Sequence, residues 1–193
     1  MARHKEFDRD EALQKAMEVF WSLGYERASI QDLVKHMGIN RQSIYDTFGD
    51  KHTLFLQALD RYREIESSKV FEVLEQPGSV KKNFRRLFDG VVDKALSGEG
   101  RRGCFVSNAT SELAGRCKAT AVRTCDSMAA TEQSFYRALM RGKRDGEFPD
   151  IRDPRAVARF LYSSLQGLVL LAKATQDRKT LNDVVKVTLS VLG

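Results

Sequence analysis

The stretch from Ala28 to Lys51 constrains this chain more than any other. Two short apolar-periodic segments flank a tight Met37-Gly38-Ile39-Asn40 turn. In the first, Ile30, Leu33, Val34 and Met37 recur at helical spacing and give one inward face. The Ser29 hydroxyl can cap that helix, and Asp32 puts a negative charge in its first turn, where the helix dipole favours one. Gly38 follows the helix, where a positive φ is cheap only without a Cβ. Ile39 plugs the turn into the core and Asn40 caps the next helix. There Ile44 and Phe48 lie one turn apart and point inward, leaving Arg41, Gln42, Ser43, Tyr45 and Thr47 outside. A helix, a glycine turn and a second short helix form a unit whose second helix can enter a DNA major groove. The five outward side chains are of types that bond base edges and phosphates.

The rest of the chain reads as helix. Alternating β-branched runs are nearly absent, and only three prolines interrupt the helical period of 193 residues. The expected fold is all-α: an N-terminal three-helix helix-turn-helix domain plus a C-terminal helical bundle, about nine helices. The first helix runs from Asp8 to Leu23, with Asp8 as cap and Glu11 at capping-box spacing. Gly49-Asp50 opens a long fourth helix that continues to Leu74, and Gln76-Pro77-Gly78-Ser79 is the clearest break. Further helices are expected from Val80 to Leu96, Cys104 to Ala114, about Arg116 to Gly142, Pro154 onward, and Thr180 to Leu192; Ser97–Gly103 and Lys143–Pro149 read as loops. The expected domains are 1–52, the helix-turn-helix part, and 53–193, a ligand-binding and dimerisation part, with a connector helix at about 50–75.

Charge and cysteines narrow the class. The net charge is +6, compatible with a nucleic-acid partner, yet residues 1–60 hold eight Lys/Arg against ten Asp/Glu. A basic tail of Arg3, His4 and Lys5 can reach a backbone or minor groove, or merely be solvated. The N-terminus lacks the apolar region of a secretory signal, and no stretch is apolar long enough to span a bilayer, so a cytoplasmic address is expected. Cys104, Cys117 and Cys125 lack metal-type spacing, and no metal site is expected. No catalytic residues or cofactor are expected either: there is no Gly-rich phosphate loop, and the histidines, His4, His36 and His52, are all N-terminal, with His52 facing solvent or phosphate.

The run Ile44-Tyr45-x-x-Phe48-x-Asp50-Lys51, preceded by Met37-Gly38-Ile39 and by a helix with Ala16, Phe20, Gly24 and Tyr25, resembles the signature of the tetracycline-repressor (TetR) family of bacterial transcriptional regulators. The resemblance covers about the first sixty residues. It implies a repressor that binds palindromic operator DNA as a homodimer and is released by a small-molecule effector. It further implies DNA contacts by Ser29, Ile30, Arg41, Gln42, Ser43, Tyr45, Thr47 and the phosphate lysine Lys51.

Two more sets follow. The family pairs its last two helices with their twins, and Phe160, Ser163, Ser164, Gly167, Leu168 and Leu171 form a stripe that is either that interface or an internal core face. Phe84, Phe88, Val91, Val106, Met128, Phe135, Tyr136 and Leu139 either line an effector pocket or are core, with Asn108, Thr110, Ser111 and Glu112 as polar neighbours. Cys104, after Arg101-Arg102-Gly103, resembles the cysteine of a TetR subset that senses electrophiles or oxidants; the alternative is a small buried hydrophobe. A helical interaction module that no longer binds DNA is the third reading.

Overall fold

The computed structural model describes residues 7–193, and the Arg3-His4-Lys5 tail lies outside the described residues. Among these the chain forms nine α-helices and no strand. They are α1 (Arg9–Leu23), α2 (Ile30–Met37), α3 (Arg41–Phe48), α4 (Lys51–Leu74), α5 (Val80–Ser97), α6 (Phe105–Ala109), α7 (Lys118–Arg144), α8 (Pro154–Ala174) and α9 (Arg178–Leu189). Short 3-10 turns span Glu99–Arg102 and Ser190–Leu192.

Local chemistry sets the helix starts. Asp8, Ser29, Asn40, Ser79, Asp153 and Asp177 each accept amide protons of the first turn that follows them. Asp8 takes the amides of Asp10 and Glu11 at 2.7 and 3.0 Å, which lowers its pKa below the usual carboxylate value. Pro154 occupies the first position of α8, where its missing N–H costs nothing. The valine-rich α9 is helical because Leu181, Val185 and Leu189 bury on one face, which outweighs their weak intrinsic preference.

Two expected boundaries move. The helix expected from Cys104 to Ala114 starts at Phe105 and changes at Thr110 into a π-helical turn, Thr110–Ala114. Hydroxyls compete with the backbone there: Thr110 Oγ1 donates to Val106 O at 2.8 Å and Ser111 Oγ to Ser107 O at 3.1 Å. α7 runs through Gly142 to Arg144, and its last turn carries Arg141, Lys143 and Arg144, the sign that suits a helix C-terminus.

The chain packs as two compact units. The first comprises residues up to Ile65 with Phe105–Thr124; the second comprises Glu66–Cys104 and Cys125–Gly193. This packing boundary differs from the expected division at 52/53, because α4 stays in the first unit for four turns and because a segment that begins only at Phe105 packs with it. Aromatic edges hold the first core: Phe20 on Phe55 (5.3 Å), Phe55 on Phe105 (5.7 Å), Tyr62 on Phe105 (5.6 Å).

In the second unit α5 packs on α8 and α9 around Phe84, Phe88, Leu161, Leu165, Leu168 and Val185. The buried Asn83 side chain donates to Leu74 O (3.3 Å) and Gln76 O (2.7 Å), closing the end of α4. Glu147 closes the start of α5: it accepts from Ser79 Oγ (2.7 Å), the Val80 amide (2.8 Å) and the Lys81 amide (3.3 Å).

Candidate nucleic-acid interface

The first unit presents α3 from a rigid bed. Ile44 and Phe48 are buried beneath it, and Leu33 and Met37 bury the facing side of α2. Gly38 adopts φ +72° and donates to Val34 O, which turns the chain sharply between the two helices. Asn40 Oδ1 accepts the Ser43 amide at 2.8 Å. The far end of α3 is pinned from two sides: Gln57 Nε2 donates to Phe48 O (3.1 Å), and Arg9 bonds Gln57 Oε1 (2.7 Å) while its guanidinium sits over the Phe48 ring (5.3 Å). Arg9 was not singled out by sequence, since its partners lie on other helices.

The outward face of α3 is organised by spacing of four. Arg41 reaches Tyr45, with Nη2 3.3 Å from the hydroxyl and the guanidinium 5.5 Å from the ring centroid. Gln42 Nε2 donates to Asp46 Oδ1 at 2.8 Å. Arg41 and Gln42 are exposed; Ser43 and Tyr45 are half-buried. Asp46 is a further group on this face, and its i+4 relation to Gln42 was the signal that could have found it. Thr47 departs from expectation: it shares the inner side with Ile44 and Phe48, and its hydroxyl oxygen is shielded from solvent without a partner. It is therefore not presented to a phosphate.

Two further features flank α3 in the chain, the start of α2 and the start of α4. Ser29 and Asp32 form a closed capping box: Ser29 Oγ accepts the Asp32 amide (3.1 Å) while Asp32 Oδ2 accepts from Ser29 N–H (2.9 Å) and Oγ–H (2.6 Å). Those bonds hold the Asp32 carboxyl below its usual pKa. The amides of Ile30 and Gln31, at the start of the helix, have no intrahelical carbonyl to bond and can meet a phosphate. Lys51 rests its ammonium on the Tyr25 ring, 4.5 Å from the centroid. Tyr25 is itself fixed edge-on by Phe55 (5.1 Å) and by His52 (5.7 Å).

The acidic surplus of residues 1–60 is largely occupied. Glu11 pairs with Lys15 (2.7 Å), Glu18 lies 3.2 Å from His36 Nε2, and Asp50 caps α4 through the Thr53 amide (2.7 Å). Glu26 and Asp60 pair with Arg116 (3.2 Å) and Arg123 (3.0 Å), cations supplied by the later segment of the same unit.

That later segment holds a residue whose role sequence reading missed. Glu112, expected near an effector, instead accepts the backbone amides of Tyr25 (Oε2, 3.0 Å) and Glu26 (Oε1, 2.8 Å). It clamps the connection between α1 and α2. Gly24 makes room for it: at φ +82° a Cβ there would stand 2.9 Å from Glu112 Oε2.

The remaining candidates are distributed over both units. Val106 and Asn108 belong to the first unit, and Phe84, Phe88, Val91, Met128 and Tyr136 belong to the second. Phe84 and Phe88 are fully buried, and Phe84 packs edge-on against Phe135 (5.3 Å). Leu168 is also core, 1% exposed, because it faces α9 and α5; Phe160 is 46% exposed. Between α8 and α9 an open apolar groove of about 680 Å³ is lined by Ser164, Gly167, Leu168, Leu171, Val184 and Thr188, among others. Cys104 is half-buried, and the helix after it has only five residues. His52 is half-buried, and its Nε2 meets Cys117, whose Sγ lies 3.5 Å away. Among the described residues no cluster of three or more metal-ligating side chains occurs, and no helix is long and apolar enough to cross a membrane.

An all-helical chain that opens with a capped helix-turn-helix and presents Arg41, Gln42 and Tyr45 outward is a DNA-binding transcriptional regulator by architecture. Comparison with known proteins gives its family. Residues 12–58 match the model for bacterial regulatory proteins of the tetR family, and residues 80–188 match the tetracyclin repressor-like C-terminal domain. The chain is 41% identical over its whole length, and the whole of the relative, to the HTH-type transcriptional regulator YezE of Bacillus subtilis (strain 168). It is 30% identical to the HTH-type transcriptional repressor ComR of Escherichia coli (strain K12), over 97% of this chain and 90% of ComR. Among solved structures it resembles a cysteine mutant of the TetR family transcriptional regulator CifR complexed with 26-bp double-strand operator DNA, with 34% identity, 98% of each chain covered and a TM-score of 0.84. The chain belongs to the TetR family of bacterial regulators, and it is a regulator rather than an enzyme.

Proposed function

We propose that the protein represses transcription as a homodimer on a palindromic operator and leaves it when a small molecule binds the C-terminal part. The outward face of α3 carries this reading. One short helix reads only a few base pairs, so specific affinity needs a second copy one helical turn away, roughly 34–36 Å. The similarity to ComR, a repressor, and to CifR, seen on operator DNA, supports the sign and the partner.

Within this reading Arg41 and Gln42 read base edges, Tyr45 and Ser43 contact phosphate or a thymine methyl, and Lys51 and the α2 start at Ser29 and Ile30 hold phosphates. The dimer forms through α8 and α9, with Phe160, Ser164, Gly167 and Leu171 on the contact side and Leu168 behind them. The effector would meet the half-buried Val91, Met128 and Tyr136 while Phe84 and Phe88 remain core. Release requires that it bind the arrangement unable to span both half-sites more tightly than the DNA-bound one.

The test is fluorescence anisotropy with duplexes from the chain's own promoter. A palindrome with half-sites 10–10.5 bp apart is expected to bind at least a hundredfold tighter than the same duplex with one half-site scrambled, with steep salt dependence. Equal affinity for both would refute the dimeric reader; no binding at low salt would leave only the interaction-module reading.

A further inference from the structure

Of three cysteines, one is built into a site. Cys117 directly precedes the 27-residue α7, and its carbonyl accepts the Ala121 amide (3.0 Å). Its Sγ lies 3.5 Å from His52 Nε2. The Thr120 hydroxyl, one turn on, is fully buried and has no hydrogen-bond partner of its own, and it lies on the sulfur's side. Such a hydroxyl is costly to leave unpaired, and a sulfur anion would take its proton as a bond. The Thr120 hydroxyl first, then the Thr120 and Ala119 amides and the Arg123 guanidinium, hold the thiol below its ordinary pKa against a burial that pushes it up. Cys117 is half-buried rather than sealed. A thiol beside an imidazole, at a helix N-terminus and partly open to solvent, becomes a nucleophile once that imidazole takes its proton.

The pair also sits behind the DNA-facing lysine. His52 is the residue after Lys51, its ring packs edge-on against Tyr25 (5.7 Å), and the Lys51 ammonium lies over that same Tyr25 ring (4.5 Å), which Phe55 also meets (5.1 Å). Every group named lies in the first compact unit.

We propose that Cys117 is a modification site for α,β-unsaturated carbonyl compounds, with His52 as its proton acceptor, and that the adduct weakens DNA binding by displacing His52 from the Tyr25 ring that carries Lys51. The thiol proton passes to His52 Nε2. Sγ bonds the β-carbon, the C=C π pair moves to the α-carbon as an enolate, and that carbon takes the proton back from the imidazole. The product is a thioether; nothing leaves and no oxidant is consumed. The inference rests on the DNA-binding reading for its consequence, not for its chemistry.

The experiment treats the full chain with N-ethylmaleimide and follows each cysteine by peptide mass mapping. Cys117 is expected to react at least tenfold faster than the exposed Cys125, and Thr120→Val to slow it severalfold. In a chain with Cys104→Ser and Cys125→Ser, one maleimide should lower affinity for the promoter duplex at least tenfold. In Cys117→Ser the reagent should no longer do so. A Cys117 rate no greater than that of Cys125, or an adduct with unchanged affinity, would overturn the proposal. Failure of the untreated chain to bind DNA would overturn the reader instead, while the maleimide rates still decide the thiol.

Discussion

α3 and α8 each leave one face uncovered, and the two faces have opposite chemistry. The outer side of α3 is polar and already satisfied within itself: Arg41 bonds Tyr45 and Gln42 bonds Asp46. Water is a fair substitute for its partner. The outer side of α8 carries Phe160 and Leu170, 46% and 67% exposed, spaced so that Ser163 and Gly167 fall on the same stripe, and α9 adds Val187 at 68%. Water is a poor substitute there, since clustered exposed apolar side chains mark a surface meant to be covered. A polar face can wait for an intermittent partner; an apolar one calls for a standing partner. Under the proposed function the contrast is that between operator and second subunit.

The comparison breaks most visibly at α8. Leu170→Asp with Val187→Asp puts charge on the apolar stripe but touches neither core nor α3. The expected outcome is a monomer by sedimentation, an unchanged melting temperature within a few degrees, and operator affinity reduced at least a hundredfold, about 2.7 kcal/mol or more. A variant that stays dimeric, or a monomer that keeps full affinity, would remove the reason for assigning α8 to a second copy.

Changes on the α3 side should be smaller and separable. Lys51→Ala is expected to weaken binding about tenfold on every sequence and to lower the slope of log affinity against log salt by about 1. Arg41→Ala should instead cost about 1–3 kcal/mol on the operator and much less on unrelated DNA. If both variants lost affinity equally on all duplexes, α3 would be a phosphate-binding element and nothing more.

How much of this was legible follows the range of the interactions. Ser29, Gly38 and Asn40 mark the helix ends because a cap acts over three residues, so its signal is local. Ile44 and Phe48 face inward because one turn separates them. Thr47 misled because an eight-residue helix has a wide buried side, and its packing on α2 decides which neighbours of Ile44 fall within it. Glu112 and the pairing of Cys117 with His52 were out of reach, since each joins residues 65 to 87 positions apart and spacing carries no trace of such a contact. The aromatic stripe of Phe84 and Phe88 shows the same limit in another form: periodicity says that a face is buried, not whether a ligand or the protein itself covers it.

The smallest expected effect lies away from both faces and tests whether the second unit's stability is independent of them. Burial pushes the Glu147 carboxyl up, but its bonds from Ser79 Oγ and from the Val80 and Lys81 amides outweigh that and leave it below its usual value of 4.5. A carboxyl whose pKa is depressed on folding adds stability that is present above its unfolded value and lost as pH falls through the folded one. Glu147→Gln removes the charge at every pH. The variant should therefore melt a few degrees below the parent at pH 7, and the gap should close as pH is lowered below about 4.5. Its dimer and its operator affinity at neutral pH should not change, since neither α3 nor the outer stripe of α8 touches this cap. A gap that stayed constant down to pH 3 would mean that the bonds to Glu147 do not depend on its charge.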